Sequence, residues 1–571
     1  MMKTVLLRMM KFFLGMLLAF LLSTGTSHAS GTDSADAKSI SYYLRDLPFP
    51  TPSITEPQFP SDRFVISDFG AVADGHTLNT DAITKAIQAC SEKGGGIVVI
   101  PPGTWITGPL KLESNVNLHL DPGALLQFSS RIENYPLVAG FDGKSKRYIV
   151  TPLIWGYRLK NIAVTGDGVL DGAGEIWRPV KKDKLTPAQW KELLASGGAL
   201  SADGKIWWPS KDAADASEFL PGAEKSGQQP TLEDYTRAKR FLRPNMLQFV
   251  QCNTILLDGP TFRNSPRFHV YPQQSENIII RNTKVKTEWY AQNGDGIDLG
   301  ACRNVLVCNC TVDAGDDGIC VKAGNPAKSQ QPGYACENIV IADCIVYHAH
   351  GGFVVGSDTK GSARNIAVRN CIFLGTDVGL RFKSARGHGG TIRDIFIDNI
   401  QMGLIRTEAI LFDLWYADQS PDEYSIGDIL GRQPEPVTEN TPQFRDISIR
   451  NVVCTGARRA ILINGLPEMP VKGISLHNVS ITSNVGAMMI DADSIFLDHV
   501  SVTPSSGPVV SLVQARNVAF LHFGFPPKML PVLKLEGNKS SGIVLKDTDI
   551  SGLKGGIEFG KDVTSDAVIT Q

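Results

Sequence analysis

The chain has almost no net charge, no apolar run long enough to span a membrane, and no cysteine spacing typical of a zinc site. Its 571 residues contain 56 Lys and Arg against 58 Asp and Glu, a formal net charge of −2. Nucleic-acid binders carry a basic excess, so we exclude that class. A membrane-spanning helix needs about 20 apolar residues, and no stretch reaches that length. Any affinity for an anion must therefore come from a local cluster of cations.

The first 29 residues have the pattern of a secretory signal peptide. Basic residues precede an apolar run over 12–22, and Ser27-His28-Ala29 offers a cleavage site. The run is too short for a bilayer, and the first cysteine, Cys90, lies too far away for a lipid anchor. We therefore expect export to the periplasm or cell exterior. Residues 30–60 are interpreted as a Pro-rich, poorly ordered lead-in.

Several of the ten cysteines recur in one context. Cys310, Cys344 and Cys371 each follow an Asn or Asp at the end of an apolar strand segment. Small apolar residues in equivalent positions predict an interior ladder of free thiols. An exported protein tolerates disulfides, so one or two remain an alternative.

The second half of the chain repeats itself. Short apolar segments recur at steps of 27, 34, 27, 29, 52, 27, 21 and 23 residues, most of them flanked by Asn, Asp or Gly. Each unit is typical of two or three short strands that bury their apolar face only by stacking. We predict an all-β, single-domain parallel β-helix over residues 61–560. The alternative, an antiparallel sandwich, needs hairpin signals every 8–12 residues. The segments begin at residues 278, 305, 339, 366, 395, 447, 474, 495 and 518.

Two segments depart from the repeat. Residues 81–91 place Ile83, Ala86, Ile87 and Cys90 on one helical face, which predicts a helix that caps the open end of the solenoid. Residues 178–242 form a large insertion with helix-like stretches at 187–195 and 232–241. Its Trp and Lys residues are candidates for sugar contacts, although Trp207 and Trp208 fit equally well as packing residues.

Four short motifs within residues 293–383 carry the chemistry. Aligning the coils on a Gly-apolar pattern makes Asp316 equivalent to His350, and Lys322 equivalent to Lys383, with adjacent coils about 4.8 Å apart. Mutual repulsion should then raise at least one carboxyl pKa, as in glycosidases. The alternative is that these carboxylates, with Asp298, are turn residues or a calcium site. The motifs are Asn293-Gly294-Asp295, Gly315-Asp316-Asp317-Gly318, His350-Gly351 and Arg381-Phe382-Lys383.

These motifs, in this order, resemble the signature of the pectin-hydrolysing polygalacturonases, glycoside hydrolase family 28. The resemblance extends over about residues 64–500 and includes Asp68-Phe69-Gly70-Ala71 and Asn264-Ser265-Pro266. It implies a right-handed parallel β-helix and inverting hydrolysis of α-linked galacturonic acid, without metal or cofactor. Two positions depart from the pattern: Gly294 replaces the more usual Thr, and Phe382 the usual Ile.

The resemblance also implies roles for individual residues. Asp316 would be the general acid, Asp295 and Asp317 would activate the hydrolytic water, and His350 would tune the acid. Inversion needs room for a water, so Asp316 should lie farther from at least one base than the roughly 5–5.5 Å of retaining enzymes. The expected substrate-binding residues are Arg381, Lys383, Lys322, Asn293 and Arg267.

Several alternatives stay open. A rhamnogalacturonan hydrolase of the same family is expected to lack the His-Gly and Arg-x-Lys motifs. A β-helix polysaccharide lyase needs calcium, and a carbohydrate-binding solenoid needs no acid and base. The insertion, with added loops near 325–335 and 418–440, favours exo action on an acidic polysaccharide from its non-reducing end. We expect a monomer.

Overall fold

The chain winds into a right-handed parallel β-helix. The computed structural model describes residues 38–141, 147–324, 335–416, 423–528, 531–548, 550 and 555–571. The expected signal peptide and the loop at 325–334 therefore lie outside the described residues. Residues 1–42 and 43–571 form two units, and the second contains every strand. The described helices are all too short or too polar to span a bilayer.

Three parallel sheets run along the solenoid. The site sheet contains Leu110–Lys111, Ile154–Tyr157, Leu247–Val250, Val270–Gln273, Ile297–Gly300, Asp317–Lys322, Gly351–Val355, Val378–Lys383, Leu533–Glu536 and Ile557–Phe559. The back sheet contains Arg63–Val65, Gly96–Ile100, Val116–Leu120, Lys160–Thr165, Asn253–Asp258, Glu276–Arg281, Arg303–Cys308, Cys336–Ala342, Arg516–Leu521, Ile543–Lys546 and Val568–Thr570.

The third sheet completes each coil. It contains Asp74–Leu78, Gly103–Thr107, Ala124–Phe128, Val169–Asp171, Thr261–Arg263, Lys284–Lys286, Thr311–Asp313 and Ile345–Tyr347. In the later coils the strands continue through the turns, so one long strand pairs within two or three of the sheets. These are Ala363–Leu374, Ile395–Asp413, Gln443–Asn464, Val471–Ile490 and Ala492–Val513. Parallel pairing throughout rules out the antiparallel sandwich.

The coil register follows the apolar pattern of the sequence. Ile297 pairs with Ile319, Ile319 with Phe353, and Phe353 with Leu380. All four side chains are buried in one continuous core. Because side chains alternate along a strand, the residues immediately before and after each of these four face outward. The alignment of the motifs is therefore confirmed.

The turn between the back and third sheets carries a ladder of left-handed residues. Asn282, Asn309, Asn370 and Asn399 all have φ near +55°. The amide nitrogen of Asn309 donates to the side-chain oxygen of Asn282 at 2.7 Å, and Asn399 donates to Asn370 at 2.9 Å. Asn tolerates this backbone conformation, and stacked coils let each amide bond to the next. We call this row the Asn ladder.

All ten cysteines are buried and unpaired. The free-thiol ladder of Cys310, Cys344 and Cys371 is confirmed, and the alternative of a disulfide is not realised. Burial raises the pKa of Cys336 to about 12. Such thiols act as small apolar core residues.

The N-terminal cap is the helix Thr80–Glu92, one residue longer at each end than expected. It buries Ile83, Ala86, Ile87 and Cys90 against the first coils. The side-chain amide of Asn79 bonds to the backbone of Val72 and does not cap the N-terminus of the helix. The burial of its apolar face confirms that the helix covers the end of the solenoid.

The insertion folds into helices around a small antiparallel sheet, Val180–Lys181, Ile206–Trp208 and Ala199–Leu200. The expected helix Pro187–Ala195 is present, and the second stretch divides into Leu232–Arg237 and Lys239–Leu242. The helix Lys211–Ser226 was not expected, because Pro221 lies inside it. Trp207 and Trp208 pack within the insertion, so the packing alternative is the correct one.

The lead-in is more ordered than expected. The Tyr43 hydroxyl donates to Asp343, Glu56 pairs with Arg281 at 2.7 Å, and the Phe49 ring lies 6.1 Å from Phe396. Through these contacts residues 43–60 pack against the outer surface of the coils. Remaining short elements are the α-helices Ile40–Leu44 and Ile426–Leu430, the 3-10 helices Ile66–Phe69, Ile132–Asn134, Gly174–Ile176, Lys182–Lys184 and Ser565–Ala567, and the strands Leu137–Val138, Ile149–Val150 and Thr391–Ile392.

Candidate active site

The four motifs meet on the site sheet. Asp317 pairs with Gly351, and Gly351 pairs with Val378 one coil further on. The backbone N–H of His350 donates to the carbonyl of Asp316 at 2.8 Å, so these residues are neighbours as expected. One oxygen from each of Asp295, Asp316 and Asp317 lies within 4.8 Å of the other two. Stacking therefore gathers the three carboxylates into one cluster.

Two glycines of the motifs are required by close packing. A Cβ on Gly315 would lie 2.6 Å from the carbonyl oxygens of Glu288 and Ala291. A Cβ on Gly351 would lie 2.5 Å from Val354 and 3.3 Å from Arg381. Any larger residue would push Asp316 or His350 out of place.

Lys322 is the counter-charge at the centre of the cluster. Its ammonium nitrogen lies 3.1 Å from Asp295, 3.3 Å from Asp298 and 3.8 Å from Asp317. We expected Lys322 to bind substrate, but its charge is already engaged by carboxylates of the protein. Lys322 therefore neutralises part of the negative charge of these buried carboxylates.

Asp317 is bound through both oxygens. Lys383 donates to Oδ2 at 2.8 Å, and Arg381 donates to Oδ1 at 3.2 Å. The ring of Tyr416 lies 5.1 Å from the Lys383 ammonium and 5.9 Å from the Arg381 guanidinium, within reach of a cation–π contact. Both cations thus border the carboxylate cluster on its C-terminal side.

His350 is held from three directions. Its Nδ1 lies 3.1 Å from Asp316 Oδ1, and its Nε2 lies 3.2 Å from Lys184 Nζ and 3.7 Å from Asp377. A lysine ammonium can only donate, so Nε2 accepts and the ring proton sits on Nδ1, facing Asp316. The insertion thus supplies Lys184 to orient this imidazole.

Two carboxyls of the cluster are shifted towards the protonated form. Burial raises the pKa of Asp295 well above its ordinary value, and the neighbouring Asp298 raises it further. Burial likewise raises the pKa of Asp298 to about 7, although Lys322 opposes the shift. At least one carboxyl pKa is raised as predicted, but burial is the larger cause and repulsion from neighbouring carboxylates adds to it.

The other two carboxyls are shifted the opposite way. Burial raises the pKa of Asp316, but the hydrogen bond from His350, together with the charges of His350 and Lys383, lowers it below its usual range. The pKa of Asp317 lies far below it, because Lys383, Lys322 and Arg381 together outweigh burial. In the absence of substrate Asp316 is therefore ionised, which is not the state of a general acid.

The spacing of the carboxylates bears on the expected inversion. We expected more than roughly 5–5.5 Å between the carboxyl groups of Asp316 and at least one base. One oxygen from each of the three carboxyls lies within 4.8 Å of the other two, but nearest oxygens lie closer together than the groups themselves, so the expected separation stays a prediction. Distance alone therefore gives no support to inversion.

A calcium ion does not fit this cluster. Calcium takes six to eight oxygen ligands, whereas both Asp317 oxygens here accept hydrogen bonds from Lys383 and Arg381, and the Lys322 ammonium lies 3.1 Å from Asp295. The positive charges that calcium would supply are built into the protein. This arrangement disfavours the calcium-site and lyase alternatives.

Of two further predicted residues, Arg267 borders a cavity of about 630 Å³ on the N-terminal side of the cluster, and Asn293 contacts a residue of its wall. Arg267 lines the cavity and lies over the Phe268 ring at 4.7 Å. Asn293 accepts a 2.8 Å hydrogen bond from Arg243, which belongs to the same wall. Burial, together with the charge of Arg267, lowers the pKa of Arg243 to about 9. This wall therefore presents positive charge.

The motifs did not reveal four residues of this site. Asp298 was considered only as a turn residue or calcium ligand, although a carboxylate between Ile297 and Leu299 in an apolar strand is a recognisable signal. Lys184 was a candidate sugar contact as one of the insertion's lysines and not a partner of His350, and Arg243 and Asp377 had no sequence signal. Lys184 is 166 residues from His350 in the chain.

Comparison with known proteins agrees with this site. A family model described as glycosyl hydrolases family 28 matches residues 233–496. Another, described as rhamnogalacturonase A/epimerase, pectate lyase-like, matches residues 64–182. An exo-poly-alpha-D-galacturonosidase of Dickeya chrysanthemi is 29% identical over 462 residues, covering 77% of this chain and 68% of that protein.

Two other similar proteins extend the comparison. An endo-polygalacturonase of Pectobacterium carotovorum is 25% identical over 441 residues, covering 76% of this chain and 90% of that protein. The crystal structure of a hyperthermoactive exopolygalacturonase from Thermotoga maritima is 27% identical, with a TM-score of 0.62, and covers 82% of this chain and 94% of that one. The fold and its carboxylate cluster define a β-helical glycoside hydrolase. Over residues 233–496 the chain is similar to glycoside hydrolase family 28.

Proposed function

We propose that this enzyme is an exported, exo-acting polygalacturonase that cleaves α-linked galacturonic acid by inversion. The observation that carries the proposal is the meeting of an acid–base cluster with two cations, Arg381 and Lys383, at its edge. A substrate carboxylate is the natural partner of such cations. The names of the similar proteins, exo- and endo-acting on galacturonan, support this substrate. Export rests on the pattern of residues 1–29.

In the proposed mechanism Asp316 gives its proton to the glycosidic oxygen. Its side chain is 17% exposed, whereas that of Asp317 is 1% exposed, so Asp316 is the member that reaches a substrate. Asp295 and Asp317 activate the water. Both oxygens of Asp317 already accept bonds from cations, which makes it a poor nucleophile and favours action through water. His350, held by Lys184, orients Asp316.

Exo action is supported by the cavity beside the cluster. Its walls include the segment around Tyr148 and the end of the insertion at Leu242–Arg243. Arg243 and Arg267 give it positive charge, which suits one or two terminal acidic sugars. An endo enzyme would need a groove that is open at both ends, whereas here the added segments form a wall on one side of the cavity.

Product sizing tests exo action. With a hexagalacturonide labelled at its reducing end, we expect the label to stay on chains shortened by one or two sugars, because cleavage starts at the non-reducing end. Separation of labelled products at less than 10% conversion, a low extent chosen to avoid secondary cleavage, measures this. The Asp316→Asn variant, which we expect to be nearly inactive, is the negative control. An early ladder of mid-length labelled products would refute exo action and leave the hydrolase intact.

The first-formed anomer tests inversion. We expect the α-linked substrate to release a β-configured reducing end, because water attacks from the face opposite the leaving oxygen. Proton NMR during the first minutes, before mutarotation, distinguishes the anomers. Initial release of the α anomer would mean retention, with Asp295 or Asp317 as nucleophile.

A second candidate is a rhamnogalacturonan hydrolase, which the family match over residues 64–182 favours. The intact Arg381 and Lys383 favour galacturonate beside the cleaved bond. Initial rates on polygalacturonate and on rhamnogalacturonan at equal mass concentration distinguish the two. A faster rate on rhamnogalacturonan would replace our proposal.

A further inference from the structure

The Asn ladder changes its chemistry in the last coils. After Asn451 and Asn478, the same turn position is occupied by His499 and His522, both with φ near +50°. One position earlier in the turn, His477 pairs with Asp498 in the adjacent coil. Three imidazoles and one carboxylate therefore stack on the outer surface of successive coils, on the back sheet's turn and away from the active site.

All three imidazoles converge on Asp498. The Nδ1 atoms of His477 and His499 lie 2.9 Å and 2.7 Å from its two oxygens, and Nδ1 of His522 lies 3.4 Å from the oxygen that His499 contacts. The rings of His499 and His522 are 4.3 Å apart. Some Asn rungs bond to the next Asn, and others, such as Asn451, donate to an Asp of the previous coil. What distinguishes Asp498 is that three imidazoles contact it.

We propose that His477, Asp498, His499 and His522 bind a divalent transition-metal ion such as Zn²⁺. Imidazole and carboxylate are ligands that this class of ion prefers. Ligand atoms around a tetrahedral zinc lie roughly 3.3 Å apart, given metal–ligand distances of about 2.0–2.1 Å. The nitrogen–oxygen spacings here already fall close to that value. Side-chain exposures of 51%, 56% and 45% for the three histidines let an ion enter from solvent.

An ion bound here would join three coils. His477 belongs to Val471–Ile490, Asp498 and His499 belong to Ala492–Val513, and His522 follows Arg516–Leu521. The terminal repeats of a solenoid have a neighbour on one side only and open first. The site would therefore act as a clamp on the C-terminal coils. It takes no part in hydrolysis.

Calorimetric titration tests the site. Untagged full-length protein is stripped with a chelator, dialysed and titrated with ZnCl₂ at pH 7.5. We expect one equivalent to bind with a Kd below about 10 µM. His499→Asn and His522→Asn should each bind at least tenfold more weakly, while Asn preserves the ladder geometry. His76→Asn, which alters an exposed histidine elsewhere, should bind as the unaltered chain does.

Thermal unfolding supplies a second readout. Zinc should raise the Tm of the unaltered chain and of His76→Asn, but not of His499→Asn, since only binding to the folded state stabilises it. Hydrolysis rates should be the same in all variants. Absence of saturable one-equivalent binding would overturn the proposal, leaving a purely hydrogen-bonded ladder. Equal zinc affinity of His499→Asn and His522→Asn with the unaltered chain would overturn it as well.

Discussion

Asp316→Asn is expected to lower kcat by about 10²- to 10⁴-fold, the usual contribution of a positioned general acid. The amide keeps the shape of the side chain and its oxygen still accepts the Asp317 N–H, but it has no proton to give. That loss corresponds to about 3–5 kcal/mol of transition-state stabilisation. Initial-rate kinetics by reducing-sugar release measure it, with the Tm as a check on folding.

Asp313→Asn is the matched control. Asp313 accepts a bond from Nδ1 of His348 at 2.9 Å, three residues before Asp316, so it has the same Asp–His geometry on the same coil. Its side chain is outside the cluster, and we expect activity within about twofold of the unaltered enzyme. A normal kcat for Asp316→Asn would remove Asp316 from the mechanism.

The lowered pKa of Asp316 in the free enzyme has a physical resolution. Arg381 and Lys383 now face Asp317, and a bound galacturonate carboxylate would compete for them. It would also bring another negative charge to the cluster. Both effects raise the pKa of Asp316. Because the pKa of Asp295 is raised while that of Asp316 is lowered, these interacting carboxyls titrate as a group and not one by one.

The fold can be predicted from the sequence because the same pattern of apolar and Asn residues recurs from coil to coil. The apolar triplets fill the core, and the flanking Asn residues supply the left-handed turns. The same register brings the motif residues together, since equivalent positions in stacked coils must be adjacent. Periodicity thus converts distances along the chain into distances in space.

The insertion has no such periodicity, and this is where sequence reasoning failed. Helix Lys211–Ser226 contains Pro221, which normally argues against a helix. Lys184 reaches His350 only because the insertion folds back over the site sheet.

Lys322→Met is expected to destabilise the fold by about 3–5 kcal/mol at pH 7, because it leaves buried carboxylates without their counter-charge. Lys322 contacts Asp295, Asp298 and Asp317 within 3.8 Å. Urea unfolding at several pH values measures the loss. Lys286→Met, on an exposed strand residue, should change stability by less than about 0.5 kcal/mol.

The loss should depend on pH with a definite sign. The folded-state pKa of Asp298, about 7, exceeds its ordinary 3.8, so the folded protein binds this proton more tightly than the unfolded chain does. Such a group lowers stability as pH rises from about 4 to 7. Without Lys322 the folded pKa rises further, which steepens the decline. The variant should therefore approach normal stability near pH 4–5, where Asp295 and Asp298 are neutral. Adding Asp298→Asn should restore part of the stability at pH 7. A pH-independent loss would mean that Lys322 contributes by packing alone.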